Sequence, residues 1–437
     1  MTSPMDQVRD LLARCNRCGF CQEVCPTYRQ SGREMLLARG RNRLSRMVLE
    51  GRMDFEPEIK DHLYSCLLCG ACVEACPPGV PTDQVVLAGR AEYAARRGVP
   101  LAVRAALRRV LKGPEEMRVP VVLASFYQNL GLQSVVRRTG FLSLVGALGR
   151  AEGLLPAVPR QSYRNRIRRE DGWQSGDEGY STPATDTSRG RVAYFLGCVT
   201  DNLFPEVAQA TTEVLEMEGF QVFIPPHLCC GMAHRSYGDL EAAVDLAAHN
   251  LEVLERIDPA YVVSDCATCC HALMDYGDLL KGRGDELEGR ASEVRERVRD
   301  ISQLLCQEGF TPPRGRLDLR VAYHDPCHLA RGLGISEEPR DILRSVPGVE
   351  ILPMDEAGSC CGGAGSYALT EPSLSDAILS SKMEAFANSG ADRLSTSCPS
   401  CTLQLGRGVA RLREADQRSR PLHPIEVLYR SHVHSRS

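Results

Sequence analysis

Tryptophan occurs once in this chain, at Trp173, and aromatic side chains make up only 5% of its 437 residues. So few flat rings leave little for bases to stack on, and the arginines are scattered over helical faces, so nucleic acid is not an expected partner. No apolar run reaches the length of about eighteen residues that a membrane-crossing helix needs. The best candidate, from Val119 to Leu148, is interrupted by Gln128, Gln133, Arg137 and Arg138. A membrane span is therefore not expected. The first ten residues are polar and carry Asp6 and Asp10, unlike a secretory leader, so a reducing cytoplasmic setting is expected. Also missing is a G-x-G-x-x-G turn after a strand; Gly362-Gly363-Ala364-Gly365 directly follows a cysteine pair and is better explained as part of its loop. Nothing in the sequence thus provides a flavin or nicotinamide site, and none is expected.

What is abundant is cysteine, 20 residues in all. Two runs share one spacing: Cys15-x2-Cys18-x2-Cys21-x3-Cys25-Pro26 and Cys66-x2-Cys69-x2-Cys72-x3-Cys76-Pro77. This is the bacterial ferredoxin spacing for a 4Fe-4S cluster, in which three thiolates wrap one face and the fourth comes from the other run. Cys15, Cys18, Cys21 and Cys76 are expected to hold one cubane cluster, and Cys66, Cys69, Cys72 and Cys25 the second. Proline after each fourth cysteine turns the chain away from the cluster. Zinc knuckles or disulfides are the alternatives, but zinc sites rarely repeat a four-cysteine run with the same three gaps.

The C-terminal half holds a second cysteine system, used twice. Its first copy is Cys198, Cys229-Cys230-Gly231 and Cys266-x2-Cys269; its second is Cys327, Cys360-Cys361-Gly362 and Cys398-x2-Cys401. Corresponding positions differ by 129 to 132 residues, which marks an internal duplication. Five cysteines per copy exceed what one cubane or one zinc ion requires, and adjacent cysteines fit a split or bridged cluster. A structural zinc in each copy is the alternative. Cys270 and Cys306 fall outside both patterns and read as packing residues.

Around these motifs the pattern predicts five regions: a ferredoxin-like helical domain over 1–100, a helical extension over 101–155, a flexible linker over 156–190, and two duplicated α/β cysteine-rich domains over 191–318 and 319–437. Helices are expected from Arg33 to Gly51 and from Asp83 to Arg97, and an amphipathic one is expected through Leu101, Val103, Ala106, Leu107 and Val110. The linker is inferred from a run of Arg, Ser, Asp, Gly and Thr. Beyond it, Val192–Leu196, Ala260–Val263, Val321–Tyr323 and Val349–Leu352 read as strands, each leading toward a cysteine motif, with helices over Glu206–Glu218 and Asp239–Arg256. The formal charge of −4 conceals an asymmetry: residues 1–170 hold 27 Lys and Arg against 16 Asp and Glu. A basic half could face an acidic redox partner or an anionic membrane, or could be a solvated helical face.

The CCG repeats resemble the cysteine-rich domains of heterodisulfide reductase catalytic subunits. The whole layout resembles the iron-sulfur subunit of glycolate oxidase and related D-lactate dehydrogenases, over nearly the full chain. Local matches are Cys18-Gly19-Phe20-Cys21, Cys25-Pro26-Thr27-Tyr28, Ala38-Arg39-Gly40-Arg41, Gly197-Cys198-Val199, His324-Asp325-Pro326-Cys327-His328 and Cys360-Cys361-Gly362. The resemblance implies an electron-transfer subunit working with an FAD-containing partner that oxidises a 2-hydroxyacid, in a hetero-oligomer that passes electrons to quinone or another carrier, in the cytoplasm or peripherally on the inner face of the membrane. It departs from the glycolate oxidase pattern in one respect. The final pair of each repeat, often degraded there, is complete here as Cys266/Cys269 and Cys398/Cys401, which draws the chain toward the reductase or lactate-oxidising branch. In the reductases each complete repeat implies a noncubane 4Fe-4S cluster, so one or two such clusters are expected beside the two cubanes. The competing reading is a subunit that splits a disulfide at such a cluster, with His227, His324 and His328 as proton sources or as groups that orient the cysteine loops. A redox sensor or scaffold fits less well, because four spaced sites look like a relay.

Overall fold

A computed structural model describes residues 3–55, 57–140, 146–170, 172–183, 188–413 and 420–434. Its N-terminal part is helical. In the Thr82–Arg97 helix, Val85, Val86, Gly89 and Arg90 fall on one face at helical spacing and are buried, and this face packs on the Ala38–Leu49 helix and on Leu63. Gly40 admits a close approach of its own helix to the preceding turn: a Cβ there would lie 2.0 Å from the Glu34 carbonyl oxygen.

Over 101–155 the described residues form helices at Leu101–Arg109, Pro114–Asn129, Leu132–Thr139 and Gly146–Gly153. Their apolar face is not fully used. Only Leu107 of the five periodic residues is buried, and Leu101 is 83% exposed.

Composition predicts a linker over 156–190, yet the described residues there are built into the first α/β unit. The short helix Tyr163–Ile167 buries Tyr163 and Ile167 in its core, and Ser162 caps that helix through the Asn165 amide. Strands β1 (Gln174–Gly176) and β2 (Gly179–Ser181) form a hairpin that pairs antiparallel with the sheet. Trp173 meets the Tyr163 ring edge-on at 6.4 Å and packs against the core. A few apolar anchors in a polar run thus override its composition, because each finds a prepared pocket.

The first repeat is a parallel sheet of β3 (Arg191–Tyr194), β4 (Gln221–Ile224), β5 (Tyr261–Ser264) and β6 (Val298–Asp300). With the hairpin, the order is β1-β2-β4-β3-β5-β6. The second repeat is a parallel sheet in the order β8-β7-β9, from β7 (Leu319–Tyr323), β8 (Val349–Ile351) and β9 (Arg393–Ser395). The central strand of each copy, β3 or β7, lies between the same two partners, which is the duplication expressed as topology. Strands β4, β6 and β9 are not among the strands named from the sequence pattern. Both sheets share one core, in which Tyr194, Val214, Val321, Tyr323 and Ile425 are buried together. The architecture is a helix-rich α/β assembly.

Candidate iron-sulfur sites

The two N-terminal runs fold alike. In each, the residue before the second cysteine takes a positive φ, Arg17 at 61° and Leu68 at 54°, and the residue after it is a left-handed glycine, Gly19 or Gly70. Bending the backbone this way turns successive thiols inward, at a cost of about 1 kcal/mol for each non-glycine residue so placed. One cavity is lined by Cys15, Cys18, Cys21, Cys72 and Cys76. A second is lined by Cys25, Cys66, Cys69 and Cys72. The second cavity thus collects three thiols from its own run and one from the other, and the first collects three from its own run together with Cys72 and Cys76.

The repeats place their cysteines at the carboxyl ends of the strands, where ligand sites of open α/β sheets collect. Within the first repeat the thiols interact in sequence: Cys198 with Cys229, Cys229 with Cys230, Cys230 with Cys269, and Cys269 with Cys266. The second repeats this order through Cys327, Cys360, Cys361, Cys401 and Cys398, with Cys361 Sγ 3.5 Å from Cys401 Sγ. The two sets meet through their equivalent members, Cys266 against Cys398, where the Ala267 amide also donates to the Ser397 carbonyl at 3.2 Å. Cys69 of the ferredoxin domain lies against Cys360, in a buried cluster that includes Leu67, Tyr367 and Ile378. The thiols thus form one interacting series from the second N-terminal cavity through the second repeat to the first.

So many buried thiols in contact fit a metal-thiolate centre. Contact with Cys198 and Cys230 pulls the Cys229 thiol well down, and contact with Cys360 and Cys401 does the same for Cys361. Cys72 is pushed well up by burial, and Cys327 by contact with Cys360 and by burial. Without a cation, most of each set would have to stay protonated; iron permits all to ionise together. The surroundings are suitably cationic. Arg41 is buried and donates to the His62 carbonyl at 2.7 Å and to the Thr27 and Ser65 hydroxyls. Arg90 is buried and donates to the carbonyls of Cys66 at 2.6 Å, Leu63 at 2.9 Å and Ser236 at 2.8 Å. Lys382 is buried near Cys361 and Cys360, donates to the Glu356 and Ala357 carbonyls, and is pushed down to about 8 by burial. Among the described residues none of the three makes an ion pair, as befits charges that face an anionic cluster.

The three histidines marked by the sequence occupy different settings. His227 stacks on Phe195 at 4.0 Å and donates from Nε2 to the Leu196 carbonyl at 2.9 Å, which holds the loop ahead of Cys198; burial pushes it down to about 3. His328 sits at the junction of the repeats, 3.0 Å from the Thr268 hydroxyl, itself 3.6 Å from Cys398 Sγ, and burial pushes it down to about 4. His324 is buried beside Cys361 and Cys401, with the Ala357 backbone nearby. The equivalent position in the first repeat is Phe195, so the two sets are chemically unequal.

Sequence reasoning missed His234, which lies beside Cys229 and whose Nε2 donates to the Leu107 carbonyl at 3.1 Å, and His271, which stacks on His328 at 4.8 Å. The position of His234, three residues after Gly231, was a signal that could have found it. Arg90 and Lys382 gave no such signal, because each acts on backbone carbonyls far away in the chain. Cys270 is buried in the first repeat's core, in the same cluster as Cys229, Cys230, Cys266 and Cys269, with its thiol directed to the Ser264 and Arg299 carbonyls, and Cys306 is half-buried with its thiol 3.7 Å from the Glu338 carbonyl.

A dicluster cysteine framework joined to two cysteine-lined α/β repeats defines an iron-sulfur electron-transfer protein. The family comparisons agree: residues 11–80 match the 4Fe-4S dicluster domain, 192–274 and 321–406 the cysteine-rich domain (CCG), and 98–155 the linker region of the glycolate oxidase iron-sulfur subunit. The chain is 32% identical over 436 residues to the probable glycolate oxidase iron-sulfur subunit of Bacillus subtilis, covering 98% of this chain and 95% of that one. It belongs to the glycolate oxidase iron-sulfur subunit family. The Escherichia coli glycolate oxidase iron-sulfur subunit is 28% identical, over 90% of each chain. The dihydromethanophenazine:CoB–CoM heterodisulfide reductase of Methanosarcina acetivorans has a component that is also 28% identical, over 91% of this chain and 89% of its own. Relatives of both kinds are thus parts of multi-subunit oxidoreductases.

Proposed function

We propose that this chain is the electron-relay subunit of an FAD-linked 2-hydroxyacid dehydrogenase complex that oxidises glycolate or D-lactate and delivers electrons to quinone or another carrier at the cytoplasmic face. The observation that carries the reading is the interacting series of thiols from Cys69 through Cys360 and Cys398 to Cys266. Cys15, Cys18, Cys21 and Cys76 would hold one cubane cluster, and Cys25, Cys66, Cys69 and Cys72 the other. Cys198, Cys229, Cys230, Cys266 and Cys269 would hold a noncubane cluster, and Cys327, Cys360, Cys361, Cys398 and Cys401 a second. When bound, such clusters each take up and release single electrons. The chain's own residues fix the spacing: Tyr367 donates from its hydroxyl to the Ser65 carbonyl at 2.9 Å and Tyr64 to the Tyr237 carbonyl at 2.9 Å, fastening the ferredoxin domain to both repeats. Arg41, Arg90 and Lys382 supply positive charge that eases reduction. As the sequence has no G-x-G-x-x-G turn after a strand, hydride removal would fall to the FAD-bearing partner.

The test is anaerobic. The reconstituted chain, mixed with its FAD-containing partner, should lose cluster absorbance when glycolate or D-lactate is added, and a complex that neither acid bleaches overturns the reading. A second reading, a disulfide-splitting subunit, is favoured by the complete five-cysteine sets and by the heterodisulfide reductase relative. Bleached clusters that are reoxidised by a thiol disulfide would support it.

A further inference from the structure

The thiol line has two ends, and duplication makes them comparable. At the second repeat, the outer cysteines Cys327 and Cys360 are covered by the ferredoxin domain through Cys69. At the first repeat, the equivalent place is covered by the start of the helical extension. The Cys229 amide donates to the Lys112 carbonyl at 2.9 Å, and Asn202 Nδ2 donates both to the Pro114 carbonyl at 3.2 Å and to the Cys198 carbonyl at 3.1 Å. What lies beyond Pro114 is the helical pair Pro114–Asn129 and Leu132–Thr139, bent by 75° at Gly131.

This pair carries an apolar face that the described residues leave exposed. Val119, Leu123, Phe126 and Leu130, one turn apart, are 63, 64, 62 and 69% exposed, and Leu132 and Val135 continue the face past the bend. From Val119 to Val136 there is no charged residue, yet Arg118 precedes the stretch and Arg137 and Arg138 follow it. Residues 98–155 hold eight Lys and Arg against three Asp and Glu, and Arg104, Arg109 and Arg138 make no ion pair among the described residues. No single helix among the described residues is long and apolar enough to cross a bilayer. The bend and the contacts that seat the first helix on the Cys198–Leu203 helix also prevent the pair from acting as one span. A kinked, uncharged face rimmed by arginines suits the plane of an anionic membrane surface, with aliphatic and phenyl groups among the acyl chains and guanidinium groups at the phosphates.

We propose that the 114–139 helical pair is a membrane-surface anchor for anionic lipid, and that it holds the first repeat's cysteine set as the part of the thiol line nearest the bilayer, where a lipid-dissolved acceptor can reach it. This deepens the relay reading and rests on it for its purpose, but the anchoring is measured without turnover. The reconstituted full chain is floated with vesicles of phosphatidylcholine containing phosphatidylglycerol, and with phosphatidylcholine alone. It should float with the anionic vesicles, less in high salt, and poorly with the neutral ones. The double variant Leu123→Glu/Phe126→Glu should lower the bound fraction by about tenfold or more, with unchanged circular dichroism and visible spectrum, since both side chains are exposed. A chain that stays unbound with anionic vesicles, or a double variant that floats like the parent, overturns the proposal. So does a dimer, or a complex with the FAD-containing partner, that the double variant dissolves in the absence of any flotation. Hydroxyacid bleaching in solution needs no vesicle, so failure here and failure of the relay reading are separate results.

Discussion

Replacing Arg90 by methionine keeps the buried stem and removes only the guanidinium. That group donates to Leu63 and Cys66, which carry the approach to the second N-terminal cavity, and to Ser236 in the first repeat. Charge-assisted bonds contribute about 1.5–3 kcal/mol each, and leaving a buried carbonyl unpaired costs about 1–3 kcal/mol. Against this stands the cost of burying the guanidinium, several kcal/mol that the variant recovers. The difference, about 2–4 kcal/mol, should act on the contact between the ferredoxin domain and the first repeat, since Gly238 lies close against the same helix, where a Cβ would approach the Arg90 carbonyl oxygen to 2.4 Å. Hydrogen exchange read on peptides covering 63–66 and 232–238 should speed up by about 30-fold to 1000-fold at one tenfold per 1.4 kcal/mol, while the strands of the second repeat stay protected. Arg90→Lys, which retains the charge but reaches fewer carbonyls, should fall between. Exchange changed less than about threefold at both places would refute the role of Arg90 as the tie between domains.

Cys69→Ala should lower iron content by about four per chain, and a full iron complement with normal electron flow would contradict its assignment. His423 donates from Nε2 to the Asp265 carbonyl at 3.1 Å and accepts at Nδ1 from the Ile425 amide at 3.1 Å, so only the neutral ring fits; burial pushes it from the ordinary 6.5 down to about 4. The unfolded chain therefore binds the extra proton between those values, and stability should be lost as pH falls from about 6.5 to 4, by about 3 kcal/mol from this residue. In His423→Asn the acid-unfolding slope over that window should be shallower by up to about one proton, measured by denaturation at successive pH values. Gly40→Ala places a methyl group against the Glu34 backbone and should destabilise the ferredoxin domain by on the order of 2–4 kcal/mol, seen as earlier thermal loss of its helical signal.

The fold and the sites were legible in different degrees. The cysteine spacings revealed both N-terminal runs and the duplication, because a cluster forces short, repeated gaps that chance does not reproduce. Strand positions at Val192 and Val321 were readable since each begins an apolar run whose residues are buried in succession, and the run after Ala260 since Val262 and Val263 are buried. The hairpin around Gly176 and Gly179 was hidden by its polar composition, although Gly179, at φ 102°, marks the turn. The contacts Cys69–Cys360 and Cys266–Cys398 join residues more than 100 positions apart, and no local pattern encodes them. The same holds for Arg90 and Lys382, whose partners are backbone carbonyls distant in sequence.

The central claim is that both repeats, and not only the N-terminal runs, hold clusters on one interacting series of thiols. Iron and sulfide quantification with EPR on anaerobically purified chain tests it most directly. The account predicts about sixteen irons per chain, with signals distinct from two ferredoxin-type centres. About eight irons, and only ferredoxin-type signals, would contradict it.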